Sequence, residues 1–415
     1  MSDTKKLKIA FLTSNDSRDK KSYSGTHYYM GQALIRNGFD VTFIGPLTPW
    51  EEFIGRWMNK LSRLFLRKKF RYLHTPYLAK RYARMAEKKM KGIDFDFIYA
   101  PAASKEIAFL KTTIPIIYTS DCTWGLLNNY YSKFSDILPL SVQQGHDIEK
   151  LAVKNASLLP YPGAWVANSA VKDYGGDEKK ISIIPWGANM DEIPSAAIAH
   201  NRKRSDECRL FFLGVHWQRK GGDIALQTLL ELERMGVNAH LTICGCVPPQ
   251  PVFHPRITVI PYLSKKIPEQ KKQLEQLFEH SDFLLLPTRA ECWGIVFSEA
   301  ASYGLPVIST DTGGVNGVVK EGASGFLLPL SATGTDYAEL IQKIYGDEKL
   351  YSELVKSSRA HYENEINYDT WAQRLKEKLF EYQSSYNKSG APIPLSFGEG
   401  QGVRTEGDKI NSDGK

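Results

Sequence analysis

The sequence predicts an α/β protein with two doubly wound parallel-sheet domains that face a central cleft. Two observations support this. Short apolar runs alternate with helical segments along most of the chain, and a charged, apolar-poor break at 201–207 divides the alternation into two series. A chain of 415 residues, 42% of them hydrophobic, is long enough to build two compact domains.

The first series begins at an apolar run, residues 8–13, which predicts a short buried parallel strand. A polar loop follows, and Ser24-Gly25-Thr26 begins a helix that Asn37-Gly38 ends. This strand–loop–helix unit is the building block of a doubly wound sheet. Later strands of the first series are predicted at 39–44, 95–99, 115–118, 165–168 and 181–185.

The second series repeats the alternation after the charged break. Its strands are predicted at 209–213, 240–244, 257–260, 283–286, 306–309 and 325–328. We therefore place a first domain at 1–192, a linker at 193–207 and a second domain at 208–366. We expect an amphipathic helix at 367–386 to pack back on the first domain, and the polar, Gly-rich residues 387–415 to be disordered.

Composition narrows the functional classes. Five scattered cysteines favour reduced thiols in a cytoplasmic protein over a disulfide framework, and their spacing predicts no metal site. No apolar stretch reaches the roughly 18 residues of a membrane span, and the N-terminal residues lack a secretory signal pattern. Neither a Walker-type phosphate loop nor a GxGxxG motif is present, which argues against kinases and ordinary dehydrogenases.

The most informative segment follows the apolar strand 283–286. Glu291 lies in the loop at the carboxyl end of this strand, where open sheets bind ligands. Gly294 permits a ligand to approach the backbone, Ile295 begins a helix whose first N–H groups suit an anion, and Glu299 lies just over one turn into it. Two such carboxylates can each accept paired hydrogen bonds from vicinal hydroxyls. The alternative is an acid that complements the helix dipole and a second, solvated glutamate.

With Gly313-Gly314 downstream, this spacing resembles the motif of the large family-four retaining glycosyltransferases, whose GT-B fold pairs two Rossmann-like domains. The resemblance implies that Glu299 binds the ribose hydroxyls of a nucleotide-sugar donor and that Glu291 binds hydroxyls of the transferred sugar. It assigns the first domain to the acceptor side and the second to the donor. Backbone N–H groups that would face the sugar and phosphate belong to Cys292, Trp293, Gly294 and Ile295.

A cationic pair early in the second domain fits the same resemblance. Gly214 ends the strand 209–213, and Arg219-Lys220 follow shortly before a helix. A diphosphate leaving group gains negative charge as its bond to the sugar breaks, and each charge-assisted hydrogen bond to it contributes about 1.5–3 kcal/mol. The family places an arginine at the position of Val215, and we take Arg219 as its replacement. The alternative is a solvated Arg-Lys pair.

Two first-domain segments resemble the family less closely. Tyr23-Ser24-Gly25-Thr26 resembles the glycine loop that approaches the donor phosphate, which implies a donor-binding role for Gly25. After the strand 115–118, Ser120 replaces the family's histidine, so the contact with the transferred sugar passes to Asp121. A structural turn aspartate is the alternative there.

The resemblance implies transfer of a sugar from a nucleoside-diphosphate sugar to an acceptor hydroxyl, with retention of configuration and without a divalent metal or other cofactor. Glycan, polysaccharide or glycolipid synthesis is the expected setting. The implied catalytic residues are Arg219, Lys220, Glu291 and Asp121. Ser120 and Val215 leave open a non-catalytic nucleotide-sugar-binding protein, and a sugar-nucleotide epimerase of the same fold is a further alternative.

One segment is strongly basic. Residues 56–91 contain 13 Lys and Arg and one acid, Glu87, and apolar residues at helical spacing predict a basic amphipathic helix over 54–66. Residues 54–91 suit attachment of a cytoplasmic protein to the anionic inner face of a membrane, or binding of a glycan or lipid-linked acceptor. The alternative is a helix packed on the domain by its apolar side. We expect no nucleic-acid binding, because no recognised module accompanies the patch.

Overall fold

The computed structural model describes residues 6–389, which form two parallel sheets in succession, each covered by helices. In the first half the elements are β1 (Lys8–Phe11), α1 (Thr26–Arg36), β2 (Asp40–Phe43), α2 (Glu52–Leu66), α3 (Pro76–Met90), β3 (Phe97–Pro101), α4 (Ser104–Ile107), β4 (Ile116–Thr119), α5 (Trp124–Leu127), α6 (Pro139–Asn155), β5 (Leu159–Tyr161), α7 (Ala164–Tyr174) and β6 (Ile181–Ile183). Four strands pair in the order β2-β1-β3-β4, and β5 and β6 form a two-stranded sheet beside β4.

The second half contains a six-stranded parallel sheet in the order β12-β11-β10-β7-β8-β9. The elements from the connection onward are α8 (Ala196–Asn201), β7 (Cys208–Leu213), α9 (Trp217–Lys220), α10 (Gly222–Arg234), β8 (Ala239–Cys244), β9 (Ile257–Ile260), α11 (Pro268–His280), β10 (Phe283–Leu286), α12 (Ile295–Ser302), β11 (Val307–Thr310), α13 (Val315–Val318), β12 (Gly325–Leu328), α14 (Gly334–Gly346), α15 (Glu348–Asn364) and α16 (Tyr368–Ser389). The central strand β10, Phe-Leu-Leu-Leu, is buried throughout, because helices cover both faces of the sheet.

One predicted strand is wrong. Residues 165–168 lie within helix α7, and the strand of this region is β5, a few residues earlier. Val166, Ala167 and Ala170 are among the buried residues of this helix. A short apolar run does not distinguish a buried helix from a buried strand, and here the alanine-rich segment after Gly163 continues for three turns as a helix.

The predicted boundaries between the domains remain predictions, although the structure adds detail to them. The segment 193–207 contains helix α8, and α15 is a helix that the sequence patterns did not reveal. Of the tail predicted to be disordered, 387–389 belong to the end of α16, and 390–415 lie outside the described residues.

The last helix crosses back to the first domain, as the sequence predicts. Trp371 of α16 is 1% exposed and packs edge-on against Tyr99 of β3, with ring centroids 5.7 Å apart. Asp369 at its start accepts hydrogen bonds from Arg36 and Asn37 at the end of α1, both at 3.0 Å. The chain therefore links the two domains both through α8 and through α16.

Helix α2 is amphipathic, but its apolar side faces away from the protein, so the alternative in which it packs on the domain by that side is wrong. Its buried residues are only Gly55 and Ser62. The large apolar side chains are exposed by about half or more: Phe53, Ile54, Trp57, Met58, Leu61, Leu64, Phe65 and Leu66. A Cβ at Gly55 would meet Tyr72 at 2.4 Å, so the helix docks through its smallest residues. Among the described residues no helix combines the length and apolarity needed to cross a membrane.

Candidate functional site

The order of strands in the second sheet brings two loops together. Strands β7 and β10 are neighbours, and the chain continues from them to opposite edges of the sheet. At such a switch point the loops that leave the carboxyl ends of the two strands border a crevice. The loop after β7 contains Gly214 and leads to α9, and the loop after β10 contains Glu291. Residues more than 70 positions apart therefore meet at one edge.

In this crevice Arg219 and Lys220 converge on a single carboxylate oxygen. Arg219 Nη1 lies 3.3 Å from Glu291 Oε2, and Lys220 Nζ donates a hydrogen bond to the same oxygen. The side chains are 26%, 9% and 12% exposed for Arg219, Lys220 and Glu291 respectively. Burial alone would raise the pKa of the Glu291 carboxyl, but Lys220 and Arg219 hold it below its ordinary value. The result is a fixed, mostly desolvated cluster with net positive charge.

Two glycines make this close approach possible. A Cβ at Gly214 would lie 2.8 Å from Lys220 Cγ, so the lysine stem passes directly under the end of β7. Gly221 has a φ of +75°, and a Cβ there would lie 1.9 Å from the carbonyl oxygen of Pro287. A side chain at Gly214 would displace the Lys220 stem, and one at Gly221 would push the cationic loop away from the loop that carries Glu291. Val215, at the family's arginine position, is 59% exposed.

Glu299 lies elsewhere in the crevice and has its own partner. It is 5% exposed on α12, and its carboxylate pairs with Lys265. Lys265 Nζ also contacts the carbonyl oxygen of Asn189 at 3.3 Å. Asn189 in turn donates to the carbonyl oxygen of Ser24 in the first-domain glycine loop, at 2.9 Å. No sequence pattern marks Lys265, because it lies in an irregular segment between β9 and α11.

The predicted first-domain residues also reach the crevice. Gly25 has a φ of +91° and ends the tight turn from which α1 begins. Asp121 accepts hydrogen bonds from the Tyr23 hydroxyl and, at 3.3 Å, from the Cys122 thiol. Burial raises the pKa of Asp121, although the Tyr23 hydrogen bond opposes this shift. Asp121, Cys122 and Cys292 offer potential ligand atoms within 4.8 Å of one another, the one such group in the described part of the chain.

Around Gly294 the backbone shapes the start of α12, and the neighbouring side chains pack in or against the core. Gly294 has a φ of +82°, and a Cβ there would meet the Phe297 ring at 2.5 Å, so only glycine fits where α12 begins. The side chain of Trp293 is 1% exposed and packs toward Trp186 of the first domain, with centroids 6.5 Å apart. Ile295 is half-buried as the first residue of α12.

Two tyrosines that the sequence analysis did not single out close over Glu291 from the first domain. The Tyr130 hydroxyl accepts from the N–H of Glu291 at 2.9 Å, and the Tyr131 hydroxyl accepts from the N–H of Cys292 at 2.9 Å. The ring of Tyr131 also lies 5.0 Å from the Arg219 guanidinium carbon. They stand in an irregular, polar stretch between α5 and α6, where no periodicity or motif marks them.

Comparisons with known proteins agree for both halves of the chain. Residues 26–192 match the family described as Glycosyltransferase Family 4, and residues 196–361 match Glycosyl transferases group 1. The D-inositol 3-phosphate glycosyltransferase of Nocardia farcinica is 24% identical over 268 residues, which are 60% of this chain and 57% of that protein. The chain thus matches little more than half the length of this curated relative.

Solved structures share the whole fold. Sucrose-phosphate synthase from Thermosynechococcus elongatus superposes with a TM-score of 0.62 at 15% identity and covers 92% of this chain and 100% of its own. Anabaena Alr3699/HepE in complex with UDP-glucose has a TM-score of 0.58 at 16% identity and covers 90% and 100%. At such identities the likeness shows the fold, and the predicted GT-B architecture is confirmed.

Proposed function

We propose a specific reaction for this chain, which belongs to the group 1 glycosyltransferases. It transfers a sugar from a nucleoside-diphosphate sugar to an acceptor hydroxyl and retains the anomeric configuration. A structural neighbour that binds UDP-glucose supports a donor of this class. The reaction would serve the synthesis of a glycan, polysaccharide or glycolipid.

The observation that carries the proposal is the convergence of Arg219 and Lys220 on Glu291 at the switch point of the donor-domain sheet. In the proposed reaction the acceptor oxygen bonds to the anomeric carbon of the donor sugar. At the same time the bond between that carbon and the diphosphate oxygen breaks. The electron pair of that bond passes to the diphosphate, which takes the acceptor's proton. Arg219 and Lys220 stabilise the charge that develops there, and their desolvated setting strengthens this effect.

The other site residues hold the remaining parts of the donor. Glu291 accepts hydrogen bonds from the transferred sugar. Glu299 accepts hydrogen bonds from the ribose after its ion pair with Lys265 has separated. Gly25 brings the first-domain backbone toward the diphosphate, while Asp121 faces the sugar from the same side. The two cations supply the charge stabilisation that a divalent metal provides in other enzymes, so we propose that the reaction needs none.

A panel of UDP-, GDP- and ADP-sugars, offered with simple glycosides and lipid extracts as acceptors, tests the reaction. One donor should support turnover, product NMR should show the donor's anomeric configuration, and chelators should leave the rate unchanged. Glu291→Gln should abolish turnover, whereas Glu353→Gln, an exposed change on α15, should not. An inverted product would exclude retention. A donor that binds without turnover would point to a nucleotide-sugar-binding protein, and binding of no donor would refute the proposal.

We also propose that α2 places the enzyme on an anionic membrane surface. The helix presents three adjacent sides: the docking side with Gly55 and Ser62, an apolar stripe from Phe53 to Phe65, and a row of exposed cations, Arg56, Lys60 and Arg63. The exposed Arg67 follows directly after the helix. Cations beside an apolar stripe are the arrangement of helices that lie in the membrane interface. Each well-placed cation contributes about 1 kcal/mol at an anionic surface, and each fully buried large apolar side chain about 1.5–3 kcal/mol.

Vesicle flotation tests the membrane proposal. The protein should float with phosphatidylglycerol-containing vesicles at low salt, less so at high salt, and not with pure phosphatidylcholine. Replacing Leu64 and Phe65 together by glutamine should abolish flotation, because they are 70% and 73% exposed at the helix end. Leu230→Gln, at a 46% exposed site in the second domain, is the matched control and should float like the parent. Absence of flotation at low salt would refute the proposal.

A further inference from the structure

The loop between α5 and α6, residues 128–137, reaches from the first domain to the donor side of the cleft. We call it the tyrosine loop. It contains two non-glycine residues with positive φ, Asn129 (60°) and Asp136 (55°), and a short 3₁₀ turn at Ser132–Phe134. Such backbone conformations cost energy and persist only where surrounding contacts hold them. Tyr130 and Tyr131 lie at the point where the loop meets the second domain.

Their hydroxyl groups form hydrogen bonds with backbone atoms of the second domain. Besides accepting from the N–H of Glu291, the Tyr130 hydroxyl lies 3.2 Å from the carbonyl oxygen of Glu291 and 3.3 Å from the Thr312 hydroxyl. The Tyr131 hydroxyl accepts from the Cys292 N–H and lies 3.5 Å from Glu291 Oε1. Burial raises the pKa of both phenols, which keeps the hydroxyls neutral and able both to donate and to accept.

The second domain is shaped to receive the Tyr130 hydroxyl. Gly313 has a φ of +58°, and a Cβ there would lie 2.3 Å from that hydroxyl and 2.1 Å from the carbonyl oxygen of Glu291. Only glycine leaves this space open. The contact is therefore a fitted one, in which a phenolic hydroxyl fills a small polar recess formed by the Glu291 backbone, Thr312 and Gly313.

The other end of the tyrosine loop is anchored to the first domain. Lys69 Nζ donates to the carbonyl oxygens of Ser132 and Ser135 at 2.6 and 2.9 Å, and its backbone N–H donates to that of Asp136 at 2.7 Å. The Tyr130 ring packs against Trp165, with centroids 5.4 Å apart. The loop is thus tied at its base on the first domain and touches the second domain through its two tyrosines.

We infer that the Tyr130 and Tyr131 hydroxyls are an internal competitor for the sugar subsite of the donor. This rests on the proposed function, in which Glu291 and the backbone beside it bind the transferred sugar. The Tyr131 hydroxyl accepts from the Cys292 N–H and lies 3.5 Å from Glu291 Oε1. The Tyr130 hydroxyl accepts from the Glu291 N–H and lies 3.2 Å from its carbonyl oxygen. These are donor and acceptor positions that a sugar hydroxyl would use. The donor binds only the fraction of molecules in which the tyrosine hydroxyls have withdrawn, so the loop lowers the donor's apparent affinity.

The direction in which the donor affinity changes distinguishes a competing role of the two hydroxyls from a supporting one. Removing the two hydroxyls removes the competitor. Since each hydrogen bond contributes about 1 kcal/mol, the double variant Tyr130→Phe/Tyr131→Phe should bind the sugar nucleotide about 5- to 30-fold more tightly. Bare UDP or GDP, which lacks the sugar, should gain less than about twofold. If the hydroxyls instead held the donor or only supported the fold, the affinity would fall or stay the same.

Isothermal titration of the full chain with UDP-glucose, GDP-mannose, UDP and GDP performs the test. Tyr77→Phe, at a 62% exposed site of the first domain, is the matched control and should bind as the parent does. Tighter binding of the sugar nucleotide by the double variant, with less than about a twofold change for bare UDP and GDP, supports the inference. Equal or weaker binding overturns it while leaving the proposed function standing. Failure of both chains to bind any of the four compounds would overturn the proposed function and the inference with it.

Discussion

Glu149, buried beneath the first-domain sheet, offers a prediction whose size follows from the structure. It is 3% exposed on α6, and its carboxyl accepts a hydrogen bond from the Tyr118 hydroxyl at 2.7 Å. Burial raises its pKa from 4.5 to about 7, because the groups that oppose the shift, Tyr118, Ser104 and the Trp124 backbone, are all neutral. We therefore expect the folded protein to hold a proton here that the unfolded chain releases.

Proton linkage gives the direction in which the free energy of unfolding changes with pH. Between pH 4.5 and pH 7 the folded state binds one proton more than the unfolded state at Glu149, so the free energy of unfolding falls as pH rises. One pKa unit corresponds to about 1.4 kcal/mol, which gives a loss of about 2–3 kcal/mol between pH 5 and pH 8. Glu149→Gln has no ionisable proton, so the variant should lack this part of the pH dependence.

Urea unfolding followed by tryptophan fluorescence, from pH 5 to pH 8, measures the effect. The quantity to compare is the stability difference between Glu149→Gln and the parent, which should shift by about 2–3 kcal/mol in favour of the variant over this range. Any packing cost of the amide is the same at each pH and cancels. Glu353→Gln, on an exposed face of α15, is the control. Parallel pH curves for parent and Glu149→Gln would refute the reasoning.

Two further predictions concern the site and the crossing helix. Lys220→Met removes one of the two cations that contact Glu291. Because a charge-assisted hydrogen bond contributes about 1.5–3 kcal/mol, the change should lower kcat about 10- to 150-fold in the donor assay. A decrease of less than about threefold would contradict the proposed role of Lys220. Trp371→Ala should lower the free energy of unfolding by about 3–5 kcal/mol in urea, because the ring is buried against the first domain, whereas Phe380→Ala, 47% exposed on the same helix, should cost little. Similar losses for the two helix variants would show that α16 does not pack as described.

The fold was largely predictable because its signals are local. Buried parallel strands are short apolar runs, and β9, β10 and β12 begin and end at the predicted residues. The resemblance at Glu291 and Glu299 led to the GT-B architecture, which the structural neighbours confirm. The error at 165–168 came from the same source, because a run of a few apolar residues has no period of its own and longer-range packing made it a helix.

The orientation of α2 shows the limit of such patterns. Its sequence revealed an apolar side and a basic side, but not that a third side, with Gly55 and Ser62, faces the protein. The structure docks the helix through Gly55 and Ser62 because small residues allow the backbone close to Tyr72. Periodicity measures the separation of polar and apolar side chains along one helix, whereas docking depends on the shape of the surface that receives it.

The sequence by itself predicted most of the alternating strands and helices, the two-domain fold and, through the family resemblance, the acids and cations of the candidate site. Each of these depends on residues within a few positions of one another. Only the tertiary structure decided that Arg219 and Lys220 share one oxygen of Glu291, that Lys265 pairs with Glu299, and that Tyr130 and Tyr131 close over the same loop. These contacts join distant segments, and they exist because neighbouring strands β7 and β10 end at one edge and because the first domain lies against that edge.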